Sequence, residues 1–196
     1  MSGGDSPTGR KDRSREKILE SAGCLVRERG ISGTSVADVM SGAGMTVGGF
    51  YAHFPSKQAL IAETLRESLC QSRERMNASG EGKTGSEAIV AMARSYLSRS
   101  HRDNPEQGCP LPATAGEIAG ADDCVREVLA EELDVEILEM ASHLEEAGVK
   151  APRSEAIAAI AMMVGGLTLA RALSGTELSD EVLKACRDHI KRSLPD

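Results

Sequence analysis

The feature that most constrains this chain is the spacing of its apolar residues, which recur at every third or fourth position along most of its length. The alternating apolar and polar pattern of a half-buried β-strand is not found in the sequence. Breaks rich in glycine or proline, at 42–44, 80–85 and 105–112, divide the runs into helix-sized segments. We therefore predict an all-α fold.

Caps and breaks give approximate helix boundaries. The predicted helices are Asp12–Gly30, a short helix capped by Thr34 or Ser35, Val47–His53, a long helix opened by Pro55-Ser56, one marked by Ile89 to Leu97, a short one to Ala119, Val125 to Gly148, Ser154–Ser174, and a last one starting at Ser179. Leu178 and Leu183 are placed as a hydrophobic staple around the last cap. Residues 1–10 are rich in Gly, Ser and Pro, and we expect them to be mobile.

Charge is distributed unevenly along the chain. Residues 1–57 carry eight Lys/Arg and six Asp/Glu, a net of +2, whereas residues 58–196 carry fifteen and twenty-four, a net of −9. The total of −7 argues against a protein that binds nucleic acid over its whole surface. The asymmetry instead predicts two parts with different partners.

Several classes of protein are disfavoured by the same sequence. The first ten residues contain no apolar stretch of the kind that a secretory signal needs. The apolar run 156–170 is shorter than the roughly 20 residues of a membrane span, so we predict a buried helix and no membrane partner. The five cysteines form no C-x-x-C pair and the four histidines form no metal-binding pair, which favours a cytoplasmic protein without a metal or cofactor.

Two short capped helices are predicted around the turn Gly42-Ala43-Gly44, and this is the sequence form of a helix-turn-helix. An ordinary helical hairpin is the alternative. Three features favour the DNA-binding interpretation: the region is the only net-positive part of the chain, it ends in three closely spaced aromatic residues, and its second helix contains Gly48 and Gly49. A glycine inside a helix costs up to about 1 kcal/mol relative to alanine, a cost expected where the backbone must approach a partner closely.

Residues 34–60 read TSVADVMSGAGMTVGGFYAHFPSKQAL, and residues 15–35 read REKILESAGCLVRERGISGTS. Together they resemble the N-terminal domain of the TetR/AcrR family of transcriptional regulators. The resemblance implies a three-helix DNA-binding domain over 10–57 and a helical effector-binding and dimerisation domain over 58–196. Many relatives carry Lys or Arg near the position of Val47, and this chain does not. Sequence recognition here is therefore expected to depend on apolar, backbone and shape contacts.

The chemistry of each residue then suggests its role on DNA. Base edges would be met by Val47, Gly48 and Gly49, and phosphates by the polar groups of Thr34, Ser35, Tyr51, His53 and Lys57. Thr46 would cap its helix and present its hydroxyl to DNA. Phe50 and Phe54 are predicted to be core residues, and packing is the alternative role for His53.

A dimer is expected, because one such motif contacts only one half-site of a palindrome. The family resemblance suggests a four-helix bundle made from segment 154–174 and the last helix. The predicted seam residues are Ile160, Met163, Gly166, Leu167 and Ala170. The alternative is that this helix is buried within its own subunit.

An effector site is harder to predict. Met92, Tyr96, Leu111 and Met140 are candidate lining residues of a hydrophobic pocket, although each could be plain core. Cys109 precedes Pro110 at the predicted start of a short helix, where the helix end would lower the pKa of its thiol. The segment also resembles the loop of TetR-type repressors that sense electrophiles or oxidants through one cysteine. An inert, buried cysteine is the alternative.

The expected function is therefore a homodimeric transcription regulator, a repressor released from a palindromic operator by a small hydrophobic or electrophilic effector. The alternative is an effector-independent DNA-binding dimer, either an activator or an architectural protein. An enzyme is the least favoured class, because the sequence has no nucleotide-binding loop, nucleophile elbow or metal-ligand set.

Overall fold

The computed structural model describes residues 7–195, and within them it contains helices and no strand, which confirms the all-α prediction. The helices are α1 Pro7–Arg29, α2 Val36–Gly42, α3 Lys57–Gly80, α4 Gly85–Tyr96, α5 Arg99–Asp103, α6 Leu111–Ile118, α7 Asp123–Glu146, α8 Pro152–Ala172 and α9 Glu177–Ser193. Two 3-10 helices, Val47–Ala52 and Pro105–Gln107, complete the architecture.

Several helix ends follow from local signals. The Ser35 and Ser56 hydroxyls accept hydrogen bonds from backbone N–H groups in the first turns of α2 and α3, as N-caps do. Gly30 and Gly148 adopt φ values of 75° and 78° just beyond α1 and α7, a conformation that glycine adopts without strain. These four predicted positions are confirmed.

Other boundaries differ from the prediction. The helix α1 begins at Pro7 instead of Asp12, so residues 7–10 are helical, while residues 1–6 of the stretch expected to be mobile lie outside the described residues. The short helix α5 was not predicted, because its sequence, RSHRD, contains no apolar residue to mark a period.

The start of α9 was also predicted wrongly. Thr176 occupies the N-cap position, and Ser179 lies inside the helix, where its hydroxyl donates to the Ala170 carbonyl of α8 at 2.7 Å. Leu178 is 50% exposed and therefore does not form the expected staple. Ser179 therefore joins α9 to α8 and does not cap α9.

Two hydrophobic clusters organise the molecule. We call residues 7–56, which include α1 and α2, the head, and residues 57–195 the body. The head cluster comprises Ile18, Leu19, Ala22, Val39, Met40, Phe50, Phe54 and one residue of α3, Leu60. The body cluster takes Val26 from α1 and otherwise spans α3 to α9. Because α1 and α3 contribute to both clusters, head and body are joined through two continuous helices.

The helix α8 is long and apolar enough to cross a membrane by length and composition alone, a test that core helices of soluble proteins also pass. In this fold it packs against α4, α6, α7 and α9. One face is buried in the body, as the sequence predicted, and the opposite face is exposed.

Candidate nucleic-acid interface and body cavity

Of the three aromatic residues in and after the 3-10 helix Val47–Ala52, two are buried and one is exposed. Phe50 and Phe54 are fully buried and stacked, with 5.9 Å between ring centroids, which confirms their predicted core role. Tyr51 is 74% exposed and Val47 is 48% exposed. The helix therefore rests on two phenylalanines and presents a valine and a tyrosine outward.

Gly48 and Gly49 lie on the same helix, and the protein's own packing does not require them to be glycine. Neither has a positive φ. A Cβ atom on Gly48 would meet nothing within 4 Å, and one on Gly49 would meet only the Met40 Cε, at 3.8 Å. The two positions form a smooth surface on which a partner can approach the backbone directly.

The three serine and threonine residues of the predicted contact set have different surroundings. Thr34 is 1% exposed and its hydroxyl donates to the Gly30 carbonyl at 2.7 Å, so its predicted role as a phosphate contact is wrong. The Ser35 hydroxyl is exposed and bonded to Asp38, accepting from its N–H and donating to its carboxylate. Thr46 stands at the N-cap position but forms no capping bond, and its side chain is exposed.

His53 and Lys57 lie at the end of the same surface. Lys57 is half-buried and its Nζ donates to the Ile31 carbonyl at 3.1 Å, which leaves its other N–H groups for an outside acceptor. His53 is half-buried, and its Nδ1 is buried without a hydrogen-bond partner among the described residues. The predicted set also omitted Lys11, Arg13 and Lys17, which α1 exposes beside the head cluster. The net positive charge of 1–57 was the only signal for them.

Hydrogen bonds connect the head to the body around the end of α1. The Glu117 carboxylate of α6 accepts from the backbone N–H of Ile31 and, at 3.3 Å, from that of Ser32. Arg27 Nε donates to the Glu106 carbonyl at 2.7 Å, and its Nη1 donates to the Ser68 hydroxyl at 3.0 Å. The turn that precedes α2 is thus bonded to α6, while the last turn of α1 is bonded to the 3-10 helix Pro105–Gln107.

A cavity of about 470 Å³ lies in the body between α3, α4, α5 and this second 3-10 helix. Its lining includes Ser72, Arg75, Ser95, Tyr96, Ser98, Ser100, His101, Asn104 and Gln107. Of the predicted effector residues, only Tyr96 lines it. Met92, Leu111 and Met140 are at most 5% exposed in the body core, so the expected hydrophobic pocket is replaced by a polar one.

Cys109 is 3% exposed, and burial raises the pKa of its thiol. The predicted lowering of this pKa is therefore wrong, because desolvation outweighs the effect of the helix end. Arg75 and Arg171 attract the thiolate of Cys109, but their charges do not offset the loss of hydration that burial causes. Burial lowers the pKa of His101 to about 4, and its ring accepts from the Cys109 N–H at 2.9 Å, while Arg102 pairs with Asp103 and Asp180.

The predicted dimer seam also needs correction. Ile160, Met163, Leu167 and Ala170 are at most 4% exposed within their own subunit. Gly166 is buried as well, and a Cβ atom there would lie 2.8 Å from the Cys186 Sγ of α9. These residues pack α8 into the body, which was the alternative interpretation. Because α8 is apolar on nearly all sides, its sequence does not reveal which face points inward.

The outward face of α8 is apolar after residue 156 except for Thr168, whereas most exposed residues of α9 are charged. The large apolar residues of the two outward faces are Ile157, Leu169 and Leu178, which are 47%, 56% and 50% exposed. Small exposed residues, Ala158, Ala161, Gly165 and Ala185, lie among them. This surface has the mixture of large and small residues that close helix packing needs.

Two family models match the chain. Residues 18–64 match "Bacterial regulatory proteins, tetR family", and residues 85–189, more than half of the chain, match "Transcriptional regulator LmrA/YxaF-like, C-terminal domain". The first match contains α2 and the 3-10 helix Val47–Ala52, and the second contains most of the body.

Similar proteins agree with these matches. The repressor KstR2 of Mycobacterium tuberculosis H37Rv is 39% identical over 62 residues, 32% of this chain and 31% of that protein. KstR2 of Rhodococcus jostii RHA1 is 33% identical over 101 residues, 50% of this chain and 49% of that protein. The chain thus matches about 31% to 49% of the length of these relatives. The reduced form of E. coli NemR has the same fold, with a TM-score of 0.79, 21% identity and coverage of 93% of this chain and 97% of that one.

The helix-turn-helix geometry, the helical body and the two family matches lead to one assignment. The chain belongs to the TetR family of bacterial transcriptional regulators.

Proposed function

We propose that this protein is a homodimeric transcriptional repressor that binds a palindromic operator and is released from it by a small-molecule effector. The observation that carries the proposal is the exposed surface of the 3-10 helix Val47–Ala52. Its outward residues, Val47 and Tyr51, are 48% and 74% exposed, although the Tyr51 ring touches Phe50 edge-on, and its inward residue, Phe50, is fully buried. As a DNA-binding regulator, the protein would act in the cytoplasm.

On DNA, we expect some residues of this surface to contact base edges and others to contact phosphates. Val47 would face base edges, with its methyl groups against a thymine methyl, and the bare backbone of Gly48 and Gly49 would allow close approach. The hydroxyls of Thr46 and Tyr51 would contact phosphates, together with the free N–H groups at the start of α3. The absence of a cationic side chain at position 47 favours recognition by shape and apolar contact.

The outward face of α8 and α9 is the proposed dimer interface. Its exposed apolar residues would otherwise meet water, and burying them against a second copy would be favourable. A two-fold dimer places its heads on half-sites about 34–36 Å apart, or at a multiple of this distance. The proposed contact residues Ile157, Leu169 and Leu178 replace the buried set predicted from sequence.

The effector would bind in the cavity that Tyr96 lines. The cavity is bounded on one side by Gln107 and Gly108, and the neighbouring Glu106 carbonyl accepts from Arg27 of α1. A compound that prefers a displaced position of this segment would shift α1 and with it the head. The affinity for DNA would then fall by the ratio of the effector's affinities for the two conformations.

A binding-site selection from random duplexes tests the proposal. Val47→Ala should change the selected base preference and weaken binding to the wild-type site by about fivefold or more. Val135→Ala, which alters a valine of similar exposure on α7, should change neither. Failure to select any sequence above non-specific binding would contradict the proposal. Selection of a site that no compound releases would support the effector-independent dimer instead.

A further inference from the structure

A second groove, of about 660 Å³, lies on the outer side of the body between α4 and the end of α9. It shares no lining residue with the cavity at Tyr96. From α4 it takes Glu87, Val90 and Arg94, which recur at helical spacing on one face, and from the end of α9 it takes Lys191. Its volume is within the range of small-molecule sites.

The floor of the groove is apolar. Val90, Ala91 and Leu194 are half-buried and line it together. One end is closed by a hydrogen bond in which the Ser86 hydroxyl donates to the Pro195 carbonyl at 2.9 Å. The groove can therefore remove an apolar group from water on more than one side.

The rim of the groove is cationic. Lys83, Arg94 and Lys191 line it, against a single carboxylate, Glu87. In the described part of the chain none of these three cations forms an ion pair. Cations nearby do: Arg99 pairs with Asp180, and Lys184 pairs with Asp188.

This local excess of positive charge stands out because residues 58–196 carry a net charge of −9. Carboxylates are abundant in the body, yet within residues 7–195 none forms an ion pair with Lys83, Arg94 or Lys191. Cations grouped above an apolar floor attract a molecule that carries both an apolar part and a negative charge.

We propose that the groove between α4 and α9 is a binding site for a small amphipathic organic anion. The apolar part of the ligand lies on Val90, Ala91 and Leu194, and its anionic group lies against Arg94 and Lys191. The volume of the groove, about 660 Å³, is within the range of small-molecule sites and favours a small molecule over an acidic peptide. The site does not depend on the proposed DNA-binding function.

Isothermal titration calorimetry with decanoate tests this site, with decan-1-ol as an uncharged probe of the same chain length. The full-length protein should bind decanoate at least about tenfold more tightly than decan-1-ol, because only the carboxylate gains from the rim cations. The double variant Arg94→Glu, Lys191→Glu should weaken decanoate binding by about tenfold or more. Lys150→Glu, which reverses an exposed charge outside the groove, should leave it unchanged.

Circular dichroism of the double variant, and its binding to duplex DNA, show whether the fold and the reading surface are intact. Equal affinity for decanoate and decan-1-ol would overturn the proposal. Undiminished decanoate binding by a folded double variant would overturn it too, since the ligand would then lie elsewhere. An acidic peptide that binds the groove when decanoate does not would assign the surface to a macromolecular partner and reject a small-molecule site.

Discussion

Gly48 in the head and Gly166 in the body both lie within helical segments, where glycine is unfavourable, but their surroundings are opposite. A Cβ atom on Gly48 would enter open space, whereas one on Gly166 would lie 2.8 Å from the Cys186 Sγ and 3.2 Å from the Leu97 Cδ2. The body needs its glycine so that α8 and α9 can approach each other. The packing of the head does not need its glycine, which agrees with the proposed close approach of DNA to this surface.

The largest effect is expected from Gly48→Leu. The added side chain should prevent close approach and reduce specific DNA binding toward the non-specific level, a loss of about 10³-fold or more. The free energy of unfolding should change little, because the side chain projects into open space. Fluorescence anisotropy with the selected duplex and a generic duplex measures the loss.

Gly116→Leu is the matched control, because Gly116 is an exposed helical glycine at which an added Cβ atom would also meet nothing within 4 Å. Tight specific binding by the Gly48→Leu protein would show that the head glycines have no role at the interface.

A second expected difference between the regions is in the pH dependence of folding. Burial in the body raises the pKa of Glu136 to about 7 from an ordinary value of 4.5, with Arg73 opposing the shift and Glu139 adding to it. Protonated Glu136 is therefore favoured by the fold, and its contribution to stability is complete below pH 4.5 and lost as the pH rises through 7. We expect the wild type to lose about 1–3 kcal/mol relative to Glu136→Gln across this window.

Urea unfolding of both proteins between pH 4.5 and 8 measures this loss. The comparison between proteins is needed because His101, whose pKa is lowered to about 4 by burial, changes stability in the opposite direction between pH 4 and 6.5. Glu127→Gln, at an exposed position of α7, should follow the wild type. Parallel curves for the wild type and Glu136→Gln would refute the contribution of Glu136.

An effect no larger than that of Glu136 is expected where α8 packs against α9 in the body. Gly166→Val should destabilise the protein by about 1–3 kcal/mol, because the new side chain overpacks the contact between α8 and α9. Gly116→Ala, at an exposed helical position of α6 outside the proposed dimer interface, should be neutral or stabilising by up to about 1 kcal/mol, since a Cβ there meets nothing within 4 Å. Thermal unfolding distinguishes the two. Equal effects would mean that packing does not explain the glycine at 166.

The comparison also shows which parts of the structure could be predicted from the sequence. Ser35, Ser56 and Gly30 act on backbone groups within a few residues, so their roles can be read locally, and Phe50 and Phe54 follow from the same motif. Thr34 is of a residue type that often caps helices, but here it is buried in the turn that precedes α2.

The errors in the body arose where a long-range contact decides the outcome. The inward face of α8 is set by Leu97 and Cys186, which are distant in sequence from Gly166. The pKa of Cys109 is set by burial under the body core, and no local pattern indicates that burial. The polar lining of the cavity at Tyr96 depends on how α3, α4 and α5 meet, and only the three-dimensional structure shows this.

The bonds around Ile31 have a mechanical consequence. Its N–H is held by Glu117 of α6, and its carbonyl is held by Lys57 at the start of α3, so one residue is fixed from two directions. At the preceding Gly30, a Cβ atom would lie 2.9 Å from the Glu117 carboxylate, so the attachment also depends on a bare backbone. We therefore expect a rotation of α6 to displace Ile31 and the turn that leads into α2, because the same carboxylate holds the backbone of both Ile31 and Ser32.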